Sequence, residues 1–127
     1  MHTVVNRVRR LLVLAVMIAI LAAAALAVRA ASAGISPSLQ TGTSPYTANW
    51  SLSWGGSSPF EVLFSYGDGY GLFWPSTSST NYNANRTFTT CVDKNYYQAL
   101  AIEDSTGAPA NAGSRVNAKK GAFCFGE

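Results

Sequence analysis

Tyr46-Thr47-Ala48-Asn49-Trp50-Ser51-Leu52-Ser53-Trp54 alternates apolar residues with small polar ones along its whole length. A period of two belongs to a β-strand with one face on a core, because successive side chains point to opposite sides. The inward face is then Tyr46, Ala48, Trp50, Leu52 and Trp54. Gly55-Gly56-Ser57-Ser58-Pro59 stops the pattern with residues that favour turns.

Downstream the alternation recurs. Phe60, Val62, Phe64 and Tyr66 share one face of a second strand, which Gly67-Asp68-Gly69 ends. A short aromatic piece, Tyr70–Trp74, stops at Pro75. Pro75–Asn85 is rich in Ser, Thr and Asn and reads as a loop or weak edge strand, with Arg86–Val92 as the next strand. Tyr96–Asp104 puts Tyr96, Gln98, Leu100 and Ile102 on one face, and Ala110–Ala118 follows the turn Ser105–Pro109. Upstream, Gly34–Pro45 has only Ile35 and Leu39 as large apolar residues, so it reads as an N-terminal arm or first strand. Short strands at this spacing, with no helical period after residue 33, predict an all-β antiparallel sandwich.

The N-terminus differs in kind. Arg7, Arg9 and Arg10 precede an uncharged stretch, Leu11–Val28, and Arg29 leads into Ala30-Ala31-Ser32-Ala33. A basic segment, an apolar core and small residues at −3 and −1 (Ala31 and Ala33) form a secretory signal helix. Residues 1–33 are therefore expected to be a signal peptide, with Gly34 as the new terminus and residues 34–127 as one domain. A stretch of about 18 uncharged residues is also borderline for a membrane span, so a retained anchor is the alternative. Export sets the expected location as secreted or cell surface.

The chain has 127 residues, with nine basic against six acidic side chains. Four of the basic residues, Arg7, Arg9, Arg10 and Arg29, belong to the leader. What remains, Arg86, Lys94, Arg115, Lys119 and Lys120, is balanced by the acids and disfavours nucleic acid as a partner. His2, the single histidine, also lies in the leader, which excludes Ser-His-Asp and Cys-His nucleophile pairs and His-ligated metal from the domain. Cys91 and Cys124 are an even pair in a chain bound for an oxidising compartment, so a disulfide is expected. Closing a loop of about 33 residues contributes roughly 2–4 kcal/mol.

Phe64-Ser65-Tyr66-Gly67-Asp68-Gly69 has the form aromatic-x-aromatic-Gly-Asp-Gly, and Tyr96-x-Gln98-x-Leu100-x-Ile102-x-Asp104-Ser-Thr-Gly107 follows it in order. Together these segments resemble a PKD domain, an immunoglobulin-like sandwich common in secreted and cell-surface proteins. The likeness covers roughly Tyr46 to Ala118. Tyr66 stands where that family usually has Phe, and Gln98 where it has an apolar residue. The cysteine pair is not a family hallmark. The resemblance implies a non-catalytic spacer, adhesion unit or helper beside an enzyme.

Candidate sites follow from residue chemistry. Asp68 between two glycines reads as a turn whose carboxylate caps backbone N–H groups. The alternative is a calcium ligand alongside Asp93, Glu103 or Asp104, although no calcium-loop spacing is present. Glycoside hydrolysis needs two carboxyl groups flanking a sugar. Glu103 and Asp104 point to opposite faces of a strand, and Glu61 and Asp68 have no obvious opposing partner, so no catalytic residue is expected.

Trp50, Trp54, Phe60, Phe64, Tyr66 and Tyr96 are needed inside, whereas Tyr70, Phe73, Trp74 and Tyr82 lie in turn-rich sequence. Those four are the candidate ligand-binding rings, able to stack a sugar or anchor a protein. In the competing reading, Phe73 and Trp74 form a short strand packed on the sandwich. Phe123-Cys124-Phe125 reads as an arm held by the disulfide, or as a donor strand for self-association. Asn49-Trp50-Ser51 and Asn85-Arg86-Thr87 match the glycosylation triplet, which matters only in a host that uses it. No cofactor motif is present.

The expected function is extracellular or cell-surface recognition of a polysaccharide or protein. The alternative is a structural subunit of a surface assembly, membrane-anchored if the leader is retained.

Overall fold

A computed structural model describes residues 30–122 and Cys124. The signal helix and the donor-strand reading of Phe123 and Phe125 lie outside the described residues.

The described residues form eight strands: β1 (Ser32–Ser36), β2 (Leu39–Thr43), β3 (Tyr46–Gly55), β4 (Phe60–Ser65), β5 (Gly71–Thr77), β6 (Asn81–Phe88), β7 (Lys94–Glu103) and β8 (Pro109–Lys119). They build a three-stranded sheet, β1-β3-β6, facing a five-stranded sheet, β2-β8-β7-β4-β5. All pairs are antiparallel except β2 with β8, which run parallel from Leu39↔Arg115 to Thr43↔Lys119.

The alternation drives the layering. Ala48, Trp50, Leu52 and Trp54 of β3 meet Phe60, Val62 and Phe64 of β4 and Tyr96, Leu100 and Ile102 of β7 in one buried cluster. Trp50 lies at its centre, edge-on to Phe64 at 5.7 Å and to Phe88 at 6.2 Å. Gln98 sits in this apolar layer fully hydrogen-bonded: Nε2 donates to the carbonyls of Tyr66 (2.9 Å) and Tyr96 (3.0 Å), and Oε1 accepts from the Ser114 hydroxyl (2.7 Å). A polar residue is tolerated there because each of its groups has a partner.

Three expectations change. β5 does not stop before Pro75 but continues to Thr77. It is an edge strand, and the register shift between Phe60 and Val62 places an irregularity opposite Pro75, the setting in which a missing N–H is tolerated. The next strand is not Arg86–Val92 but Asn81–Phe88, so of the two readings of Pro75–Asn85 the edge strand holds over residues 81–85, β6 lying at an edge of the three-stranded sheet. Its inward residues Ala84 and Phe88 are buried, and the outward positions are amides and a hydroxyl. Gly34–Pro45 supplies two strands in opposite sheets, and the first begins at Ser32, ahead of Gly34.

Cys91 and Cys124 form a disulfide, with Cα atoms 5.4 Å apart. It ties the C-terminal tail to the β6–β7 connection, where Lys120 N–H also donates to Asp93 at 2.8 Å.

Candidate functional site

The Gly67-Asp68-Gly69 turn follows β4. Gly67 and Gly69 have φ of 88° and 92°, a region that disfavours side chains. Asp68 Oδ1 accepts the Tyr70 N–H at 3.1 Å, and Oδ2 accepts Arg86 Nε at 2.6 Å. The carboxylate thus joins its own turn to β6 in the other sheet. The Arg86 guanidinium lies 4.3 Å from the Tyr70 ring centre and 5.4 Å from that of Tyr66, a cation–π arrangement between two rings. Burial, with the Tyr82 hydroxyl nearby, pushes the Tyr66 phenol above its ordinary pKa, against the pull of Arg86.

Three of the four candidate rings share this side of the sandwich. Trp74 lies 4.9 Å from Tyr82 and 6.2 Å from Trp54, whose indole N–H donates to the Ser79 carbonyl at 2.7 Å. Trp74 and Tyr82 bridge β5 and β6, edge strands of different sheets, while Tyr70, in the turn ahead of β5, meets β6 through Arg86. Trp74 is half-buried by these contacts. Phe73 is adjacent in sequence but points to the opposite face, so the four rings do not form one surface.

Phe73 belongs to the outer face of the five-stranded sheet. It opposes Leu63 of β4 in register, and Leu63 opposes Ala101 of β7. Phe73 is 57 % exposed and Leu63 50 %. In the next row Ser65 opposes Ala99, which opposes Gly113, and Tyr97 follows at 63 % exposure. Small residues beside three large ones leave an exposed apolar platform, edged by Asn111 opposite Ala101 and by Arg115 opposite Tyr97. At its border Glu61 opposes Glu103, a pairing the strand spacing alone did not reveal. The two carboxylates stand side by side on this face and, with Leu63, Ala101 and Asn111, line a shallow recess of about 260 Å³.

The opposite outer face has another chemistry. Thr47, Asn49, Ser51 and Ser53 of β3 pair with Thr87, Asn85, Asn83 and Asn81 of β6, all exposed and none charged. The two threonine hydroxyls are 2.8 Å apart, and Ser51 Oγ donates to Asn83 at 3.4 Å. Beyond the end of β1 this surface forms a shallow groove of about 490 Å³. Asn49 and Asn85, the acceptors of both glycosylation triplets, are directly opposed.

No family model and no curated protein matches this chain. Solved structures do. The PKD domain of an M14-like peptidase from a Thermoplasmatales archaeon superposes with a TM-score of 0.59 and 14 % identity, covering 73 % of this chain and 99 % of that one. The fold is that of a PKD domain. The N-terminal four Ig domains of Dscam1 isoform 6.44 match at a TM-score of 0.53 and 15 % identity, over 72 % of this chain. The chain spans only 21 % of that structure, about one Ig domain of the four. At these identities the likeness establishes the Ig-like PKD architecture.

On this PKD-like sandwich, sequence reasoning missed Leu63 and Tyr97. The signal was present: both are large residues at outward positions of strands whose inward faces were already assigned. It also missed the amide and hydroxyl ladder, because Pro75–Asn85 was read mainly by composition.

Proposed function

We propose that this chain is an exported, non-catalytic recognition module that docks an extracellular protein on the outer face of its five-stranded sheet. The registered pair Leu63 and Phe73 carries the reading: both rings and branches are exposed, with Ala99, Ala101 and Gly113 beside them. Large apolar residues exposed together outside the core are the kind of surface that marks a protein contact. Asp68, the turn residue weighed as a calcium ligand, has its oxygens occupied by the Tyr70 N–H and Arg86.

The second reading is a polysaccharide ligand, favoured by the opposite face. Eight uncharged amide and hydroxyl side chains in two columns offer donors and acceptors suited to a neutral polyhydroxylated polymer.

Photo-crosslinkers at position 73 and at position 83, in protein exported by its native host, separate the readings. An adduct with another protein from position 73 supports protein docking. An adduct with a second copy of this chain makes it a subunit of a surface assembly. Glycan adducts from position 83 move the assignment to the polar face, and no adduct at either position sinks both.

A further inference from the structure

Across its strands, the outer face of the five-stranded sheet is organised in rows. Pro109, Glu103 and Glu61 make the first, and Asn111, Ala101, Leu63 and Phe73 the second. Gly113, Ala99, Ser65 and Gly71 follow, and then Leu39, Arg115 and Tyr97. All are exposed except Ser65, which is half-buried. The face therefore runs from acidic to bulky to small to basic. Glu61 and Glu103 stand directly opposite each other, an arrangement of like charges that destabilises a sheet taken alone. Among the described residues, neither carboxylate has an ion-pair partner, and nor does the Arg115 guanidinium. Lys119, on the same face, is engaged by Asp93 at 3.9 Å.

We propose that the partner docking on this face is a second copy of the chain, laid face to face with its strands antiparallel. The twofold axis crosses the strands between the bulky and the small rows. Such an axis exchanges neighbouring rows. Leu63 and Phe73 of each copy then fall on Ser65 and Gly71 of the other, large residues on small ones. Glu61 and Glu103 of each fall on the row that holds Arg115 of the other, so every unpaired charge gains an opposite one. The contact is made twice, as a twofold interface requires. An axis along the strands would instead set acids on acids. The recess of about 260 Å³ beside the two carboxylates gives the incoming guanidinium room, with oxygens for its fork of N–H donors. Five strands about 4.8 Å apart and about seven residues at 3.4 Å each outline a face of roughly 600 Å². The pair thus covers roughly 1,200 Å², the lower end of stable interfaces. This inference rests on the docking reading above and names its partner.

The test is sedimentation equilibrium of the full chain, recovered from an exporting host, across a concentration series and beside three variants. Wild type is expected to pass from monomer to dimer as concentration rises, and Phe73→Asp to stay monomeric. Arg115→Glu sets acids against acids, and the double variant Glu61→Arg, Glu103→Arg sets bases against bases. Each should associate at least about tenfold more weakly than wild type. Mixed in equal amounts, these two charge variants are expected to form a heterodimer, because both contacts become attractive again. That complementation requires both chains to be folded, so it separates a lost contact from a lost fold. Wild type that stays monomeric throughout, or a dimer that survives Phe73→Asp, overturns the proposal. The docking reading then stands if a crosslinker at position 73 captures a different protein, and falls too if that probe captures nothing. A mixture no more associated than its components, while both variants unfold in urea like wild type, overturns the antiparallel pairing.

Discussion

At the scale of single residues, two buried polar groups do the work that apolar side chains do elsewhere in this core. Gln98 holds the end of β4 through the Tyr66 carbonyl and holds β8 through Ser114. Replacing it with leucine keeps the volume but strands a buried carbonyl and a buried hydroxyl. Gln98→Leu is therefore expected to lose about 1–3 kcal/mol in urea unfolding, despite the apolar residue usual at this position in PKD domains. Asp104 acts as a turn organiser. Its carboxylate accepts the Thr106 hydroxyl at 2.6 Å and backbone N–H groups of Ser57, Thr106 and Ala108. The Thr106 hydroxyl, followed by the Ser57 N–H, draws its pKa down to about 2. A carboxylate more acidic when folded than when unfolded stabilises at pH above its unfolded value near 4 and loses that contribution as pH falls towards 2. Asp104→Asn should therefore melt below wild type at pH 7, and the gap should narrow between pH 4 and pH 2. A gap independent of pH would refute the assignment.

At the scale of elements, the β4–β5 turn shows how local chemistry and cross-sheet contact meet. A side chain at Gly67 is strained by its φ of 88° and would run into the Tyr97 backbone. Gly67→Ala is thus expected to cost about 1–3 kcal/mol in thermal or urea unfolding. Gly69 has a similar φ but open space around it, so Gly69→Ala should cost less, through backbone strain alone. The legible strands were those whose two faces differ most. β3, β4 and β7 set large apolar residues against polar ones, and of the seven rings assigned to those inward faces six are buried, Tyr46 at the start of β3 being half-buried. β6 was misplaced because its inward column mixes Tyr82, Ala84, Arg86 and Phe88, while asparagine on the outside is a poor strand former by propensity. Its pairing with β3 overrides that propensity. β1 and β2 were blurred into one arm because neither has enough apolar residues to show a period. They gain their identity from partners far along the chain. The candidate rings were legible as residues but not as a site, since a ring's face depends on register: Phe73 and Trp74 are consecutive and lie on opposite sides of β5.

At the scale of the molecule, the core and the surfaces separate cleanly, and this gives the binding proposal a stringent control. Trp74 bridges the open edge between the sheets, touching Trp54 and Tyr82, so Trp74→Ala should cost about 2–4 kcal/mol and disturb both sheets. Phe73 closes nothing. Phe73→Asp should leave stability within about 0.5 kcal/mol of wild type while abolishing crosslinking at a neighbouring Leu63 probe. The disulfide is a third element: it fastens the tail to the β6–β7 connection and includes none of the platform residues Leu63, Phe73 and Tyr97. A Cys91→Ser, Cys124→Ser double variant is expected to lose roughly 2–4 kcal/mol of stability yet retain partner capture at temperatures where it stays folded. Unfolding curves and capture yields measured on the same samples read these effects separately. If capture tracked stability across Trp74→Ala and the double cysteine variant, and Phe73→Asp still captured the partner, the apolar platform would be excluded as the docking face. Loss confined to Phe73→Asp assigns recognition to the exposed sheet and leaves the aromatic bridge with the structural role of joining its edges.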